Sequence, residues 1–346
     1  MKNYLFQKSC QFLSASFLTL LLYSTVTYAN AQTATSSQQT SDVIAPSQQK
    51  TNVLDDQRYT GSLLSPSGAM SLAGLLAIEP YAQMTISRGA YQSDGNVKNN
   101  KHRTDNFINF TLIKYAVTDH FSVQSTPQIR YAWNGHTTSS SLHFADLPVE
   151  LQYRWIDQDN ASYRPSLTTI LGMTFPTGNY SNLGRALDGA GNGTYALRFG
   201  LQSQAAYNVF NHALRVRVWG VGRQPLNSVN IKNISNYGTS LGYKGNARPG
   251  LFGNTGFSLE YGFTKEWLLS FDFVYDWAKG TRMKGTDKNA VYNRRVTGAS
   301  HDIQLAPAVE YNWSPKIGII VGTALTVNGH NSNDFVQPQF AVMLLF

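Results

Sequence analysis

In the stretch WLLSFDFVYDW, residues 267–277, every second residue is large and apolar, and the residues between them include Ser270, Asp272 and Asp276. Successive side chains of a β-strand point to opposite faces, so this alternation predicts a strand with one apolar and one polar face. The apolar set is Trp267, Leu269, Phe271, Phe273, Tyr275 and Trp277. Aromatic residues at both ends of a strand of about ten residues are typical of a β-strand that crosses a membrane.

The alternation recurs from residue 78 to the end of the chain, for example at residues 147–155. We therefore predict an all-β fold, a closed antiparallel transmembrane β-barrel of about twelve strands with short periplasmic turns and long extracellular loops. The predicted strands begin near Ile78, Phe107, Phe121, Ala145, Ser166, Thr194, Ala213, Leu251, Trp267, His301, Lys316 and Phe335. The predicted long loops cover residues 88–105, 134–144, 176–193, 224–249, 279–299 and 328–334.

Composition supports this fold class. Only 14% of the 346 residues are charged and 12% are aromatic, whereas soluble domains carry about 25% charged residues. The mean hydropathy of −0.27 is too low for a helical membrane protein. A β-barrel needs this combination because only every second strand residue faces lipid.

Residues 1–31 have the features of a secretory signal peptide. Lys2 and Lys8 precede an apolar run, and small residues flank Asn30 in the sequence Ala-Asn-Ala at 29–31. The run could also be a membrane anchor, but it is shorter than the ~20 apolar residues that a span needs. We predict cleavage near Ala31, which removes the only cysteine, Cys10. Export of this kind predicts the outer membrane of a Gram-negative bacterium as the destination of the barrel.

The mature chain divides into three predicted regions. Residues 32–58 are rich in Gln, Ser and Thr, and we predict a disordered periplasmic tail there. Residues 59–77 are glycine-rich and more apolar, which predicts a plug inside the lumen or a cover over the periplasmic mouth. Residues 78–346 form the predicted barrel.

The chain ends on an alternating segment whose last residue is aromatic. Phe340, Val342, Leu344 and Phe346 share one face of the last predicted strand. This pattern resembles the C-terminal signal by which bacterial outer-membrane proteins are recognised for assembly. We therefore expect the barrel assembly machinery to bind it, and the last strand to pair with the first.

Two stretches resemble an outer-membrane transporter family named for the MetA pathway of phenol degradation. They are residues 61–81, which contain GSLLSP and IEPY, and residues 165–180, which read PSLTTILGMTFPTGNY. The resemblance extends over residues 61–346. It implies a barrel that passes small, often hydrophobic or aromatic compounds, and it implies no catalytic residues.

Alternation assigns a set of polar residues to the lumen, since a charged side chain facing lipid at the midplane costs roughly 2 to 4 kcal/mol. The arginines lie on earlier strands than most of the carboxylates, which predicts a transverse field across a polar constriction. The alternative is that the same residues form networks that fill a narrow barrel. The predicted lumen residues are Gln124, Gln128, Arg130, Glu150, Arg154, Arg198, Arg215, Arg217, Glu260, Asp272, Asp276, Asp302 and Glu310.

Two long loops are strongly basic and contain Asp287 as their sole acid. Such loops would be attracted to lipopolysaccharide phosphates, so outer-membrane lipid and lipopolysaccharide are the predicted partners. Nucleic-acid binding, the other common meaning of basic sequence, lacks a recognisable nucleic-acid fold here. The residues are Lys232, Lys244, Arg248, Lys279, Arg282, Lys284, Lys288, Arg294 and Arg295.

Three local motifs could indicate other chemistry. His330 and Ser332, like His120 and Ser122, have a spacing that could pair a general base with a nucleophile, as in a lipid-modifying enzyme. The glycine-rich residues 189–193 lack the βαβ context of a nucleotide loop, and we predict a flexible loop tip. His136 and His143 lack a third metal ligand.

The sequence therefore predicts a channel that passes small molecules passively, without catalytic residues, metal or cofactor. The main alternative is a surface-interaction barrel whose basic loops bind lipopolysaccharide or a host molecule.

Overall fold

A computed structural model of the protein describes residues 53–68, 72–99 and 103–346. The predicted signal peptide and the predicted tail up to residue 52 lie outside the described residues. One helical turn, Val53–Asp56, precedes the barrel. None of the helices in these ranges has the length and apolar character needed to span a membrane.

The described part of the chain contains nineteen β-strands. They are β1 (Leu76–Tyr91), β2 (Val97–Lys98), β3 (Asp105–Ala116), β4 (Phe121–Ser125), β5 (Gln128–Trp133), β6 (His143–Phe144), β7 (Leu147–Ile156), β8 (Ser166–Phe175), β9 (Ala196–Val209), β10 (His212–Pro225), β11 (Val229–Lys232), β12 (Lys244–Arg248), β13 (Phe252–Gly262), β14 (Trp267–Ala278), β15 (Arg282–Thr286), β16 (Tyr292–Val296), β17 (Ser300–Ser314), β18 (Ile317–His330) and β19 (Asn333–Leu345). A short 3-10 helix, Ala186–Asp188, lies between β8 and β9.

Twelve antiparallel staves form a closed barrel. Both β4 and β5 pair with β3, and they form one stave interrupted at Pro127, which has no backbone N–H to donate. Closure joins β1 to β19, with Ala77 opposite Leu345. The predicted fold class is confirmed, and every predicted strand start lies within two residues of an observed one.

Alternation determines which side chains face outward. In β14, Trp267, Leu269 and Phe271 are exposed on the outer surface, whereas Leu268 and Asp272 are buried inside the barrel. Closure pairs the first and last staves along the described residues of the apolar layer, where an unsatisfied backbone group would cost several kcal/mol.

The two basic loops are not irregular, contrary to our expectation for residues 224–249 and 279–299. They form a second antiparallel sheet in the order β11–β12–β15–β16. Its formation has a physical cause, since Val229, Ile231, Ala247 and Met283 bury one face of the sheet together with Tyr243. The extracellular part of the protein therefore has a small hydrophobic core of its own.

Candidate functional site

The polar residues predicted for the lumen fall into two groups by burial. Six are buried and seven are half-buried among the described residues. The buried ones are Gln124, Glu150, Arg217, Glu260, Asp272 and Glu310, and the half-buried ones are Gln128, Arg130, Arg154, Arg198, Arg215, Asp276 and Asp302. Arg154 lies at the periplasmic mouth, where it donates to Asp157 and to the Asp119 carbonyl.

Residues Tyr59–Gly68, here called the lumen segment, contact side chains that point into the barrel. Leu63 is 4% exposed and packs in a cluster with Tyr81, Ala308 and Ile320. Leu64 packs against a second cluster that contains Trp219. These contacts bury apolar side chains of the lumen segment against the inner wall.

Two wall carboxylates accept hydrogen bonds from the backbone of the lumen segment. The amides of Thr60 and Gly61 donate to Glu310 Oε2 over 2.9 and 3.2 Å. The amide of Leu64 donates to Asp272 Oδ2 over 2.9 Å. Charge-assisted bonds of this type satisfy backbone groups that have no partner strand.

Lys114 holds the other end of the lumen segment. Its Nζ donates to the carbonyls of Ser67 and Gly68 over 2.9 and 2.7 Å, and to Gln152 Oε1 over 3.0 Å. Lys114 is 1% exposed. Sequence reasoning missed this residue, although its position between the outward Ile113 and Tyr115 was an available signal.

Arg215 and Arg217 of β10 form ion pairs with the adjacent strand and not across the lumen. Arg215 lies opposite Glu260 in the β10–β13 register and forms two hydrogen bonds to its carboxylate. Arg217 Nη2 lies 3.7 Å from Glu260 Oε2. The Arg215 guanidinium also lies 3.8 Å from the centre of the Tyr59 ring. The predicted transverse separation is therefore wrong for these residues, because facing strands bring their opposite charges together.

Three of the cavities lined by residues that the structure describes lie along the barrel. A periplasmic cavity of about 730 Å³ reaches from the turn residues His120 and Asp157 to Gln202. A central chamber of about 390 Å³ is lined by the lumen segment, Tyr81 and Arg198. An outer cavity of about 360 Å³ lies beside extracellular residues such as Tyr237. Gly68 lines both of the first two cavities, so the lumen segment lies at their boundary.

The extracellular loops are joined by Asp188. Its carboxylate accepts hydrogen bonds from the amides of Ser140 and Arg185, at 2.7 and 3.0 Å, and lies 3.2 Å from His143 Nε2. Burial alone would raise the pKa of Asp188, but these hydrogen bonds hold that pKa below its ordinary value. The carboxylate therefore connects the loops at 134–144 and 176–195.

The glycine-rich residues 189–193, expected to be a flexible tip, are packed in the structure. The amide of Gly191 donates to the Asn179 carbonyl over 2.9 Å, and Asn236 donates to the Gly191 carbonyl over 2.7 Å. A Cβ at Gly189 would collide with Asn236. The expectation was wrong because these glycines allow close backbone approach between neighbouring loops.

The enzyme-like motifs do not form a nucleophile and base pair at His330. Its ring stacks on His301 with centroids 5.4 Å apart, and the Ser332 hydroxyl has no hydrogen-bond partner within the described ranges. At the second motif, Ser122 is buried whereas His120 is exposed, with Nδ1 3.6 Å from Asp157. No cluster of three metal-ligating side chains occurs in residues 53–68, 72–99 or 103–346.

Most of the predicted loop cations lie on one face of the extracellular sheet. The directly opposed pairs in the sheet register include Lys232 with Lys244, Arg248 with Arg282, and Lys284 with Arg294. All six side chains are exposed. Arg295 lies on the other face and donates to the Tyr237 carbonyl, while Lys279 and Lys288 flank the strands. The six residues are here called the basic face.

The C-terminal residues lie at the seam of the barrel. Phe340 and Phe346 are exposed on the outer surface, and Val342 and Leu344 lie between them on the same face, half-buried. The amide of Phe346 donates to the Leu76 carbonyl over 2.9 Å, and the amide of Leu76 donates back over 3.1 Å. The last residue thus pairs directly with the first strand.

Comparison with known proteins gives a structural likeness without a sequence match. No protein-family model and no curated protein sequence matches the chain. The fold is similar to the COG4313 outer membrane channel from Pseudomonas putida F1, with a TM-score of 0.55 and 13% identity over 82% of this chain and 100% of that chain.

Two other solved structures are more distant. The transport unit of the autotransporter AIDA-I from Escherichia coli gives a TM-score of 0.43 and 10% identity over 78% of this chain and 90% of that one. The TodX monoaromatic hydrocarbon channel gives a TM-score of 0.39 and 9% identity over 79% of this chain and 89% of that chain. The likeness to the Pseudomonas putida channel shows that the chain has the fold of an outer-membrane β-barrel.

Proposed function

We propose that the protein is an outer-membrane channel through which small solutes diffuse passively, and that the lumen segment restricts its passage. The observation that carries this proposal is the row of three cavities inside a closed polar barrel, with Tyr59–Gly68 at the boundary of two of them. The fold likeness to a solved outer membrane channel is consistent with it. We also propose that the chain is a member of the outer-membrane transporter family named for the MetA pathway of phenol degradation.

Opening requires withdrawal of the lumen segment toward the periplasm. Both of its ends lead there, because Arg58 donates to the carbonyl of Trp313 beside the β17–β18 turn, and Ala73 donates to Asp119 in the β3–β4 turn. The polar groups that hold it include Glu310, Asp272 and Lys114, in addition to the apolar contacts of Leu63 and Leu64. Water could solvate these groups once the segment leaves, so closure is reversible in this proposal.

Purified protein in a planar bilayer tests the channel. Discrete steps of current are expected, and liposomes that contain the protein should swell with small solutes and not with large ones. A correctly folded sample that gives neither current nor swelling would overturn the proposal.

A second candidate function rests on the basic face, and we propose that it binds phosphates of lipopolysaccharide. Like charges directly opposite each other destabilise a sheet, yet three such pairs stand there without a carboxylate in β11, β12, β15 or β16. Tyr237 packs against the apolar face and also lines the outer cavity with the lumen residue Asp276. The apolar face is therefore turned toward the barrel axis, and the basic face is turned away from it.

Charge reversal on the basic face tests the second function. Lys284→Glu with Arg294→Glu should reduce retention of the protein by immobilised lipopolysaccharide, and added salt should reduce wild-type retention. The control, Lys265→Glu with Lys316→Glu, makes the same charge change in the periplasmic turns. Equal retention of both variants would refute this function.

A further inference from the structure

Two arginines lie side by side in the part of the lumen next to the outer cavity. Arg198 of β9 and Arg223 of β10 are direct partners in the strand register. Side chains in such a pair start with their Cβ atoms about 4.5–5.5 Å apart, and like charges there repel. The position therefore favours an anion that both guanidinium groups can contact.

Several hydrogen-bond donors of this pair have no partner among the residues that the structure describes. Arg198 Nη1 lies 3.0 Å from Glu150 Oε1, but Arg198 Nε is buried without a hydrogen-bond partner. The Arg223 side chain makes no hydrogen bond or ion pair with any residue that the structure describes. Its guanidinium lies 5.6 Å from the centre of the Phe252 ring. Glu150 thus contacts Arg198 but not Arg223.

The carboxylates on the opposite side do not contact Arg223, although Asp276 attracts it electrostatically. Asp276 and Asp302 line the outer cavity with Arg223, but both accept hydrogen bonds from Gln304 Nε2, at 2.7 and 2.8 Å. Neither forms an ion pair with Arg223 in the described part of the chain. The Arg223 donors therefore stay free for a solute.

Arg223 lies on the path through the lumen. It lines the outer cavity and also the central chamber, where Arg198 is its neighbour. The chamber has an apolar wall, because the rings of Tyr81 and Phe110 stack with centroids 4.3 Å apart and an angle of 12° between planes. A chamber of about 390 Å³ has the size of a small-molecule site.

We propose that the Arg198–Arg223 pair binds the carboxylate of a small organic anion whose apolar body lies against Tyr81 and Phe110. Arginine suits this task because its planar fork matches a carboxylate with two parallel hydrogen bonds. The inference rests on the proposed channel function, since the site lies inside the lumen. It gives the channel a substrate class, small carboxylates with an apolar body.

Titration calorimetry with benzoate in detergent micelles tests the site. Wild-type protein should bind one benzoate saturably, and Arg223→Gln should weaken binding about tenfold or more, because a charge-assisted hydrogen-bond pair is lost. Arg223→Lys keeps the charge without the fork and should give an intermediate affinity. Arg223→Gln leaves no partner unsatisfied, so the variant should fold normally.

Arg130→Gln is the matched control, since it removes a lumen arginine that lines neither the chamber nor the outer cavity. Its benzoate affinity should equal that of the wild type. Benzoate affinity unchanged in Arg223→Gln, or reduced equally in both variants, would overturn the site. Specific binding without bilayer current would overturn the channel and keep the site, whereas normal current without benzoate binding would do the reverse.

Discussion

Replacement of Lys114 by Met should favour the open channel. The Lys114 ammonium donates two hydrogen bonds to carbonyls and one to the hydroxyl of Ser67 within the lumen segment, at 2.7–2.9 Å. A hydrogen bond to a charged group contributes about 1.5–3 kcal/mol net. These three share one charge and are not additive, so we take about 1.5–3 kcal/mol for the set.

Since 1.4 kcal/mol changes an equilibrium tenfold, the ratio of open to closed channels should rise roughly 10- to 100-fold in Lys114→Met. The assay is the open-time fraction of single channels in a planar bilayer. Lys316→Met is the control, because this lysine is exposed in the turn before β18. An open-time fraction in Lys114→Met that equals that of Lys316→Met, in protein that keeps its folded gel mobility, would refute the reasoning.

Three further predictions concern assembly and stability. Deletion of Phe346 removes two hydrogen bonds at the barrel seam and the end of the predicted assembly signal, so less protein should reach the membrane, as measured by protease protection in cells; normal insertion would contradict this. Arg215→Met leaves the buried Glu260 with Arg217 at 3.7 Å, and breaking such a pair costs about 3–5 kcal/mol, so heat should unfold the barrel at a lower temperature. The pKa of Asp188 is lower in the folded protein than its ordinary value of 3.8, so its stabilisation is present above that value and is lost as pH falls through the folded pKa. Hydrogen–deuterium exchange of the Ser140 and Arg185 backbone amides should then become faster in acid, relative to the intrinsic exchange rate at the same pH. In Asp188→Asn this exchange should be fast already at neutral pH.

The barrel wall could be predicted from sequence because each strand carries its own signal. In β14, six outward apolar residues alternate with inward residues that include Ser270, Asp272 and Asp276, and lipid on one side enforces the outward pattern without reference to distant residues. The sequence pattern predicts one strand from Phe121 onward, whereas Pro127 divides this strand into β4 and β5. Both parts still pair with β3, so they remain one stave.

The extracellular sheet could not be predicted because its strands are short. The segment Val229–Lys232 has only two apolar residues, and they become buried only when Met283, more than fifty residues later, packs beside them. Period-two alternation over four residues is too brief to separate a strand from a loop.

The lumen interactions are long-range in the same way. Alternation indicates that Glu310 and Asp272 point inward, but not that each accepts hydrogen bonds from the lumen segment more than two hundred residues earlier. The role of Lys114 likewise depends on Ser67 and Gly68, which lie in a segment without any periodic pattern. Strand order, rather than residue type, pairs Arg215 with Glu260.

A reversible tether on the lumen segment tests the central claim most directly. A Cβ at Gly318 would overlap the Thr60 hydroxyl, which Thr60→Cys removes, and the end of the Asn312 side chain, which must shift. Thr60→Cys with Gly318→Cys should therefore form a disulfide that fixes the segment to β18, in a mature chain that has no other cysteine once the predicted signal peptide is removed. Single-channel current should be suppressed in the oxidised double variant and restored by a reductant, while either single variant should be insensitive to the reductant. Equal current in the oxidised and reduced double variant would contradict the proposal that Tyr59–Gly68 restricts passage through the barrel.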